Sequence, residues 1–427
     1  MEIMNYSKVS MLLTKANYIK WLIVATLIIK SALLLSYGNF ESMNSDEERN
    51  YQIASNFIEG KGYTINGEIT AWHGSATVVI YENIINYKVK KSAYIVFVHI
   101  LSIFIFLVSI LFFYKIIKMS GISDDVLSAI AVLIYCVYPS NLLYIGNLFL
   151  YEKITLPLLI IVFYFLLDMV RNRKTSNYAY IIVPIIVSAS CLLRTSMILI
   201  YFIIFLSFLF YSLTSSSAVN SFKKQLIIAI LTAVLLISSH IPLFQKNYTM
   251  FGSYIISTQS GYELMQGHND MARGSWLGNH DVGLYSYNDY SKDVIKNIEG
   301  MDEYEEGVAR GQYAINWIKS NPFKELELIA RKLVIFMLPK NYMGGYNVIT
   351  ILVHILFVIS LILALAKRRI DSMTLLFLSP IVGSLLLSLI FFVGYRWRYY
   401  AEPFFILILF YQLSAYFPIF SSTKKTR

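Results

Sequence analysis

About ten stretches of mostly apolar residues run along this chain, most of them near the 20 residues that an α-helix needs to cross a bilayer. They cover roughly 18–37, 92–114, 125–139, 148–170, 177–193, 195–214, 225–243, 345–366, 372–394 and 403–419. Nothing else in the sequence restricts the fold so severely. Hydrocarbon offers a backbone no hydrogen-bond partner, so each stretch must satisfy its own N–H and C=O groups as a helix. Only 15% of the residues are charged and 57% are hydrophobic, whereas a soluble domain carries about 25% charged residues. No compact soluble fold could bury so much apolar surface. A soluble enzyme, a disordered chain and a disulfide scaffold are therefore excluded. The expected fold is an all-α polytopic membrane protein with amphipathic surface helices and a small α or mixed outer domain.

The net charge of +10 would suggest nucleic acid in a soluble protein. Here it reads as a topology signal. Lys8 and Lys15 precede the first stretch, Lys115 and Lys118 follow the second, and Arg171, Arg173 and Lys174 follow the fourth. Lys223 and Lys224 precede the seventh, Lys367, Arg368 and Arg369 follow the eighth, and Lys424, Lys425 and Arg427 end the chain. All of these fall on one side if both termini are cytoplasmic. The first stretch has no small-residue cleavage site after it and reads as a retained signal anchor. Pro157, Pro184 and Pro380 fall within stretches, where neighbouring helices can absorb a kink. Cys136 and Cys191 lie in apolar runs and read as small buried hydrophobes.

This topology leaves two long segments outside, 38–91 and 244–344, and divides the chain into a membrane module over 1–243, an outer region over 244–344 and a second membrane module over 345–427. In the first segment, Ser45 followed by Glu48 has the spacing of a capping box. Tyr51, Ala54 and Ile58 then recur at helical spacing until Gly60 and Gly62. An amphipathic helix on the membrane surface is expected, with Asp46 and Glu47 in its first turn, where acids also suit the helix dipole. In the second segment, the turn-rich run Ser257 to Asp270 precedes two amphipathic helices. Tyr304, Val308, Gly311, Ile315 and Ile318 trace the apolar stripe of one, and Asn321-Pro322 opens the other. Arg331 and Lys332 of the latter are placed to meet lipid headgroups.

Charges near membrane level are costly and mark functional candidates. Glu152 begins the fourth stretch, Lys30 lies inside the first, Arg194 sits between the fifth and sixth, and Arg396 and Arg398 follow the ninth. Arginine suits phosphate because its planar fork donates two parallel hydrogen bonds. A second reading has Arg396, Arg398 and Lys30 merely snorkelling and Glu152 pairing with Lys153.

The run from Ser45 to Tyr63 resembles the first-loop signature of GT-C polytopic glycosyltransferases, which include protein O-mannosyltransferases and the lipid A aminoarabinose transferase. Further along, Ser257 to Asn269 is similar to that family's S-T-x-x-G-x-x-L-x-x-G-x-N segment, and Arg398 to Phe404 to its R-Y-x-x-P motif, with Tyr400 where many members carry a second basic residue. The resemblance implies a GT-C fold and catalytic roles for Asp46, Glu47 and Glu152. It also implies donor-phosphate contacts from Arg194, Arg396, Arg398, Tyr399 and Lys30, and substrate contacts from Tyr51, Tyr262, His268 and Asn269. The implied partners are a polyprenyl-phosphate sugar donor and a glycan, lipid or protein acceptor, with Asp46 taking the proton from the acceptor hydroxyl. The acids are hard oxygen ligands, so Mg²⁺ or Mn²⁺ is a possible cofactor. A polymerase or ligase using a lipid diphosphate donor is the nearest alternative. A transporter or flippase is the alternative from another class, although transporters gather ionisable groups at the midplane in repeated, broken helices.

Overall fold

The computed structural model describes residues 17–37, 45–72, 76–143, 150–171, 177–214, 218–275, 298, 300–339 and 346–416. The elements in chain order begin with α1 (Asn17–Tyr37) and α2 (Ser45–Ile58), then a two-residue hairpin of β1 (Thr64–Ile65) and β2 (Glu68–Ile69), then α3 (Thr77–Asn86). The bundle continues through α4 (Lys91–Met119), α5 (Asp125–Val137), α6 (Pro139–Leu143), α7 (Leu150–Arg171), α8 (Ala179–Leu193), α9 (Met197–Thr214) and α10 (Ala218–Phe251). An outer layer of α11 (Gln259–Gly267), α12 (Glu303–Ser320) and α13 (Pro322–Met337) precedes α14 (Val348–Ala366), α15 (Ser372–Ile390), α16 (Tyr395–Arg398) and α17 (Glu402–Tyr416).

Seven of these helices are long and apolar enough to cross a membrane: α1, α4, α7, α9, α10, α14 and α15. Three of the expected stretches, now α5, α8 and α17, are apolar but shorter, at 13 to 15 residues. At 1.5 Å per residue such helices reach only about 20 Å, less than the hydrocarbon thickness of about 30 Å. Helix α10 runs to Phe251, well past the expected end near 243, with Pro242 inside it.

Burial sorts the bundle into layers. Residues Glu402 to Phe410 of α17 are all buried, enclosed by α5, α14 and α15, as suits a helix that is apolar on every side. Helix α7 is likewise enclosed, packing on α4 and α8. Helices α9 and α15 cross closely at Gly383, where an added Cβ would stand 2.9 Å from the Cα of Ile200. Small residues at crossings are how membrane helices gain contact. Helix α1 is peripheral, with Trp21 and Leu35 exposed.

The two outer segments fold onto each other. Glu303, at the start of α12, accepts hydrogen bonds from Thr70 Oγ1 (2.7 Å), the Ala71 backbone N–H (2.9 Å) and Thr258 Oγ1. The apolar face of α2, including Ile53 and Ala54, is covered by α3 and α4. The expected surface helix therefore turns that face to protein and not to lipid.

The stripe expected in α12 is also displaced. Gly307, Arg310, Ala314 and Trp317 face inward, while Val308 and Ile315 are exposed. Helix α13 is more extreme: Glu325, Leu328, Lys332 and Phe336 are buried, while Phe323 (85% exposed), Leu326 and Val334 face out. Lys332 thus meets protein carbonyls, not headgroups, donating to Leu389 (3.0 Å) and Phe391 (2.6 Å). Arg331 stays at the surface, paired with Glu327. Asn321 does not cap α13 with its side chain, which donates back to the Trp317 carbonyl of α12 (3.0 Å).

The glycines of the turn-rich run serve packing. Residues 259–267 form α11, and a Cβ on Gly261 would lie 1.8 Å from the Gly307 carbonyl oxygen of α12. Gly261→Ala is therefore expected to force the two helices apart, costing about 1–3 kcal/mol. Thermal unfolding in detergent would show a lowered midpoint. Gly311→Ala, whose added methyl would sit at an ordinary 3.5 Å from Gly261 Cα, should leave the midpoint nearly unchanged.

Candidate functional site

Four elements deliver the charged residues that meet at one end of the bundle. Asp46 stands in the first turn of α2 and Glu152 in the first turn of α7. Arg194 is the C-cap of α8, where extended backbone (φ −149°, ψ 105°) turns its side chain out of the helix. Arg396 lies in α16, the short turn between α15 and α17. Glu152 is fully buried, and its Oε1 accepts hydrogen bonds from Arg194 Nη1 and from Arg396 Nε (2.7 Å). Arg396 Nη1 also reaches Asp46 Oδ2 at 3.5 Å, and Arg194 Nε donates to Ser196 Oγ at 3.0 Å. The result is an ordered chain, Asp46–Arg396–Glu152–Arg194. A buried carboxylate would be costly alone, and the two guanidiniums supply the compensating charge. Arg194 and Arg396 remain partly exposed (15% and 24%), as does Asp46, while Glu152 is enclosed.

One further carboxyl lies within electrostatic reach of this chain. Glu263 lies in the field of Arg194, Arg396 and Asp46, and its Oε1 accepts a hydrogen bond from Gln259 Nε2 (2.9 Å), one turn earlier on α11. Burial pushes its carboxyl up to about 7; the two arginines oppose the rise and Asp46 adds to it. Sequence reasoning read this stretch as loop and passed over the residue. The available signal was an acid between Tyr262 and Leu264, and its importance depends on α11 folding back over the bundle.

The other expected site residues are held elsewhere. Glu47 is buried and lies in the electrostatic reach of Lys153 and Tyr94. Lys30 donates to the Asn141 carbonyl (2.7 Å) and sits 3.9 Å from the centre of the Phe106 ring. With His99, Asn141, Lys153 and Tyr399 it lines a cavity of about 20 Å³, room for a water and too small for a phosphate. Tyr399 donates to Asn141 Oδ1 (2.9 Å) in the same buried network. Arg398 is fully buried, facing Glu402 (3.4 Å) and the carbonyls of Phe336 (3.5 Å) and Leu338. It ties α16 to the end of α13 and does not join Arg194 and Arg396.

The four expected substrate contacts are likewise structural in their surroundings. Tyr51 packs edge-on against Tyr81, with Lys91 Nζ 4.9 Å from its ring centre. Tyr262 donates to Glu306 (2.7 Å) and packs against Trp72. His268 Nδ1 lies 2.9 Å from Glu325, and its Nε2 lies 2.8 Å from the Ile390 carbonyl and 3.1 Å from Lys332 Nζ. Burial lowers Lys332 to about 8, with Glu325 opposing the shift. Asn269 closes α11, donating to the Met265 carbonyl (2.8 Å) and accepting from the Met271 N–H (2.8 Å).

The acids do not converge on a metal centre. Among the described residues no group of three or more His, Cys, Asp or Glu side chains is placed to hold an ion. Two of the three carboxylates considered for Mg²⁺ or Mn²⁺, Asp46 and Glu152, face guanidinium instead. No family model, curated protein or solved structure matches the chain.

Removing the centre of the charge chain should be severe. Glu152→Gln leaves both arginines without their shared carboxylate, and a broken buried pair costs about 3–5 kcal/mol. The expected readout is a large drop in unfolding midpoint in detergent, with Asp46→Asn, at the more exposed end, costing far less.

Proposed function

We propose that this protein is a GT-C-type membrane glycosyltransferase that moves a sugar from a polyprenyl-phosphate donor to an acceptor hydroxyl at the outer face of the membrane. The observation that carries this reading is the Asp46–Arg396–Glu152–Arg194 chain at one end of the apolar bundle. It sets two guanidiniums, backed by a buried carboxylate, beside a carboxylate at the rim. The basic clusters at the opposite turns favour a cytoplasmic location for that other end. A lipid-linked donor then explains how a site without access to nucleotide sugars obtains activated substrate.

The chemistry is a single displacement. The acceptor oxygen attacks the anomeric carbon while the bond from that carbon to the phosphate oxygen breaks and its electron pair stays on the phosphate. Arg194 and Arg396 are positioned to stabilise the charge that develops there. Asp46, at the rim, is placed to orient the acceptor hydroxyl and to take its proton as the oxygen attacks. Attack from the face opposite the leaving group inverts the anomeric centre.

The test is turnover of polyprenyl-phosphate hexoses by the purified chain in lipid vesicles, with hydroxyl-bearing envelope lipids as acceptors. Asp46→Asn and Arg396→Gln should each lower transfer by about 10²-fold or more, with folding checked by thermal unfolding. Movement of the lipid between leaflets without a new glycosidic bond would overturn the enzyme reading in favour of a flippase.

A further inference from the structure

Helices α9 and α15 cross closely where Gly383 meets Ile200. Helix α9 starts just after Arg194 and α15 ends just before Arg396, so the arginine chain lies to one side of this crossing. On the other side a cavity of about 490 Å³ opens between the two helices, from Ile203 and Val382 to Thr214 and Ser372. Its floor at Leu376 and Ser379 is buried, while its rims at Phe210 and Leu375 are exposed. The cavity is therefore a groove that opens sideways from the bundle.

The groove is apolar in effect. Ser379 Oγ donates to the Leu376 carbonyl (2.7 Å), and Thr214 Oγ1 to the carbonyls of Phe210 (3.2 Å) and Tyr211 (3.1 Å), so these hydroxyls serve their own helices. An apolar cavity does not hold water, and left empty it forfeits dispersion contacts along its lining. Both helices are long and apolar enough to cross a membrane, so hydrocarbon is what the groove meets. Its length selects the kind. Residues 372 to 382 rise about 15 Å along α15, half of a hydrocarbon thickness of about 30 Å. That suits one acyl chain of a single leaflet, whereas a long polyprenyl chain would run far past the closed end at the crossing.

The mouth of the groove is basic. Lys367, Arg368 and Arg369 join α14 to α15, are exposed, and stand three to five residues before Ser372. Arg368 has φ 52°, the left-handed conformation that favours glycine, and its N–H donates to the Leu365 carbonyl (3.0 Å) to end α14. An arginine thus occupies a helix stop where glycine is the usual residue. The neighbouring acid is engaged: Asp371 Oδ1 accepts from the Thr374 N–H (2.9 Å) and Oγ1 (2.8 Å), and Oδ2 from the Tyr411 hydroxyl. Three cations beside one engaged carboxylate favour an anionic headgroup.

We propose that this groove binds an anionic glycerophospholipid of the leaflet opposite the arginine chain. One acyl chain lies between α9 and α15, the other stays in the bilayer, and the phosphate sits at Lys367, Arg368 and Arg369. The bound chain joins two helices whose far ends adjoin Arg194 and Arg396. The site does not rest on the glycosyl-transfer reading.

The experiment is native mass spectrometry of the purified full chain, incubated in detergent with phosphatidylglycerol or zwitterionic phosphatidylcholine of identical chains. Wild type should retain one phosphatidylglycerol in preference to phosphatidylcholine by about 10-fold or more, as two or three basic side chains at the headgroup would give. Combined Lys367→Gln, Arg368→Gln and Arg369→Gln should erase that preference. Ser207→Leu, which puts a side chain into the groove and keeps α9 apolar, should lower retention of both lipids. Added phosphatidylglycerol should also raise the unfolding midpoint of wild type but not of Ser207→Leu. Equal retention of the two lipids by wild type means annular lipid only and overturns the site without recourse to any variant. A preference that survives the triple substitution, or retention unchanged in Ser207→Leu, overturns it as well. Displacement of the phosphatidylglycerol by an equal concentration of polyprenyl phosphate would make the groove a carrier site and overturn the phospholipid assignment.

Discussion

The buried carboxylate of Glu152 and the two arginines that share it organise one end of this molecule. An ionised group enclosed at the end of an apolar helix is tolerable only with matched charge beside it. Here that charge comes from two places far apart in sequence, the α8–α9 turn and the α15–α17 turn. Three separate parts of the bundle must therefore meet at one point. Arg396 extends the same linkage to Asp46 and so to the first outer segment.

A second set of constraints fixes the outer layer. Some charged residues of α12 and α13 face inward, where Arg310 pairs with Glu306 and Lys332 donates to carbonyls at the end of α15. Apolar residues lie on both sides of these helices: Trp317, Leu328 and Phe336 face inward, while Val308, Phe323 and Val334 face outward. The inward polar groups hold α11 and the 391–398 turn in register.

Much of the fold was legible in the sequence because hydropathy is a local property. The long helices fall where apolar runs of about 20 residues fall, and α2 ends at Gly60 and Gly62, both at positive φ. Asp46, Glu152, Arg194 and Arg396 were recognisable as charges at the ends of apolar segments, where their cost demands a purpose. Facing direction was less accessible. The stripe from Tyr304 to Ile318 has helical spacing, but spacing alone does not say whether an apolar face meets lipid or protein. Arg398 carries the same sequence signal as Arg396, two residues away. That two-residue offset turns it to Glu402 and the end of α13, while Arg396 turns to Glu152.

The sequence by itself determined that this is a helical membrane chain and which charges lie at the helix ends, because those follow from the run lengths and placement of residues along one strand of polypeptide. Only the tertiary structure decided which of those charges meet. That pairing depends on which helix ends converge, how closely glycines let α11 approach α12 and the α15 turn, and which side of each outer helix is turned inward. Arg396 and Arg398 show the difference most clearly: alike in sequence, they meet Glu152 and Glu402 respectively.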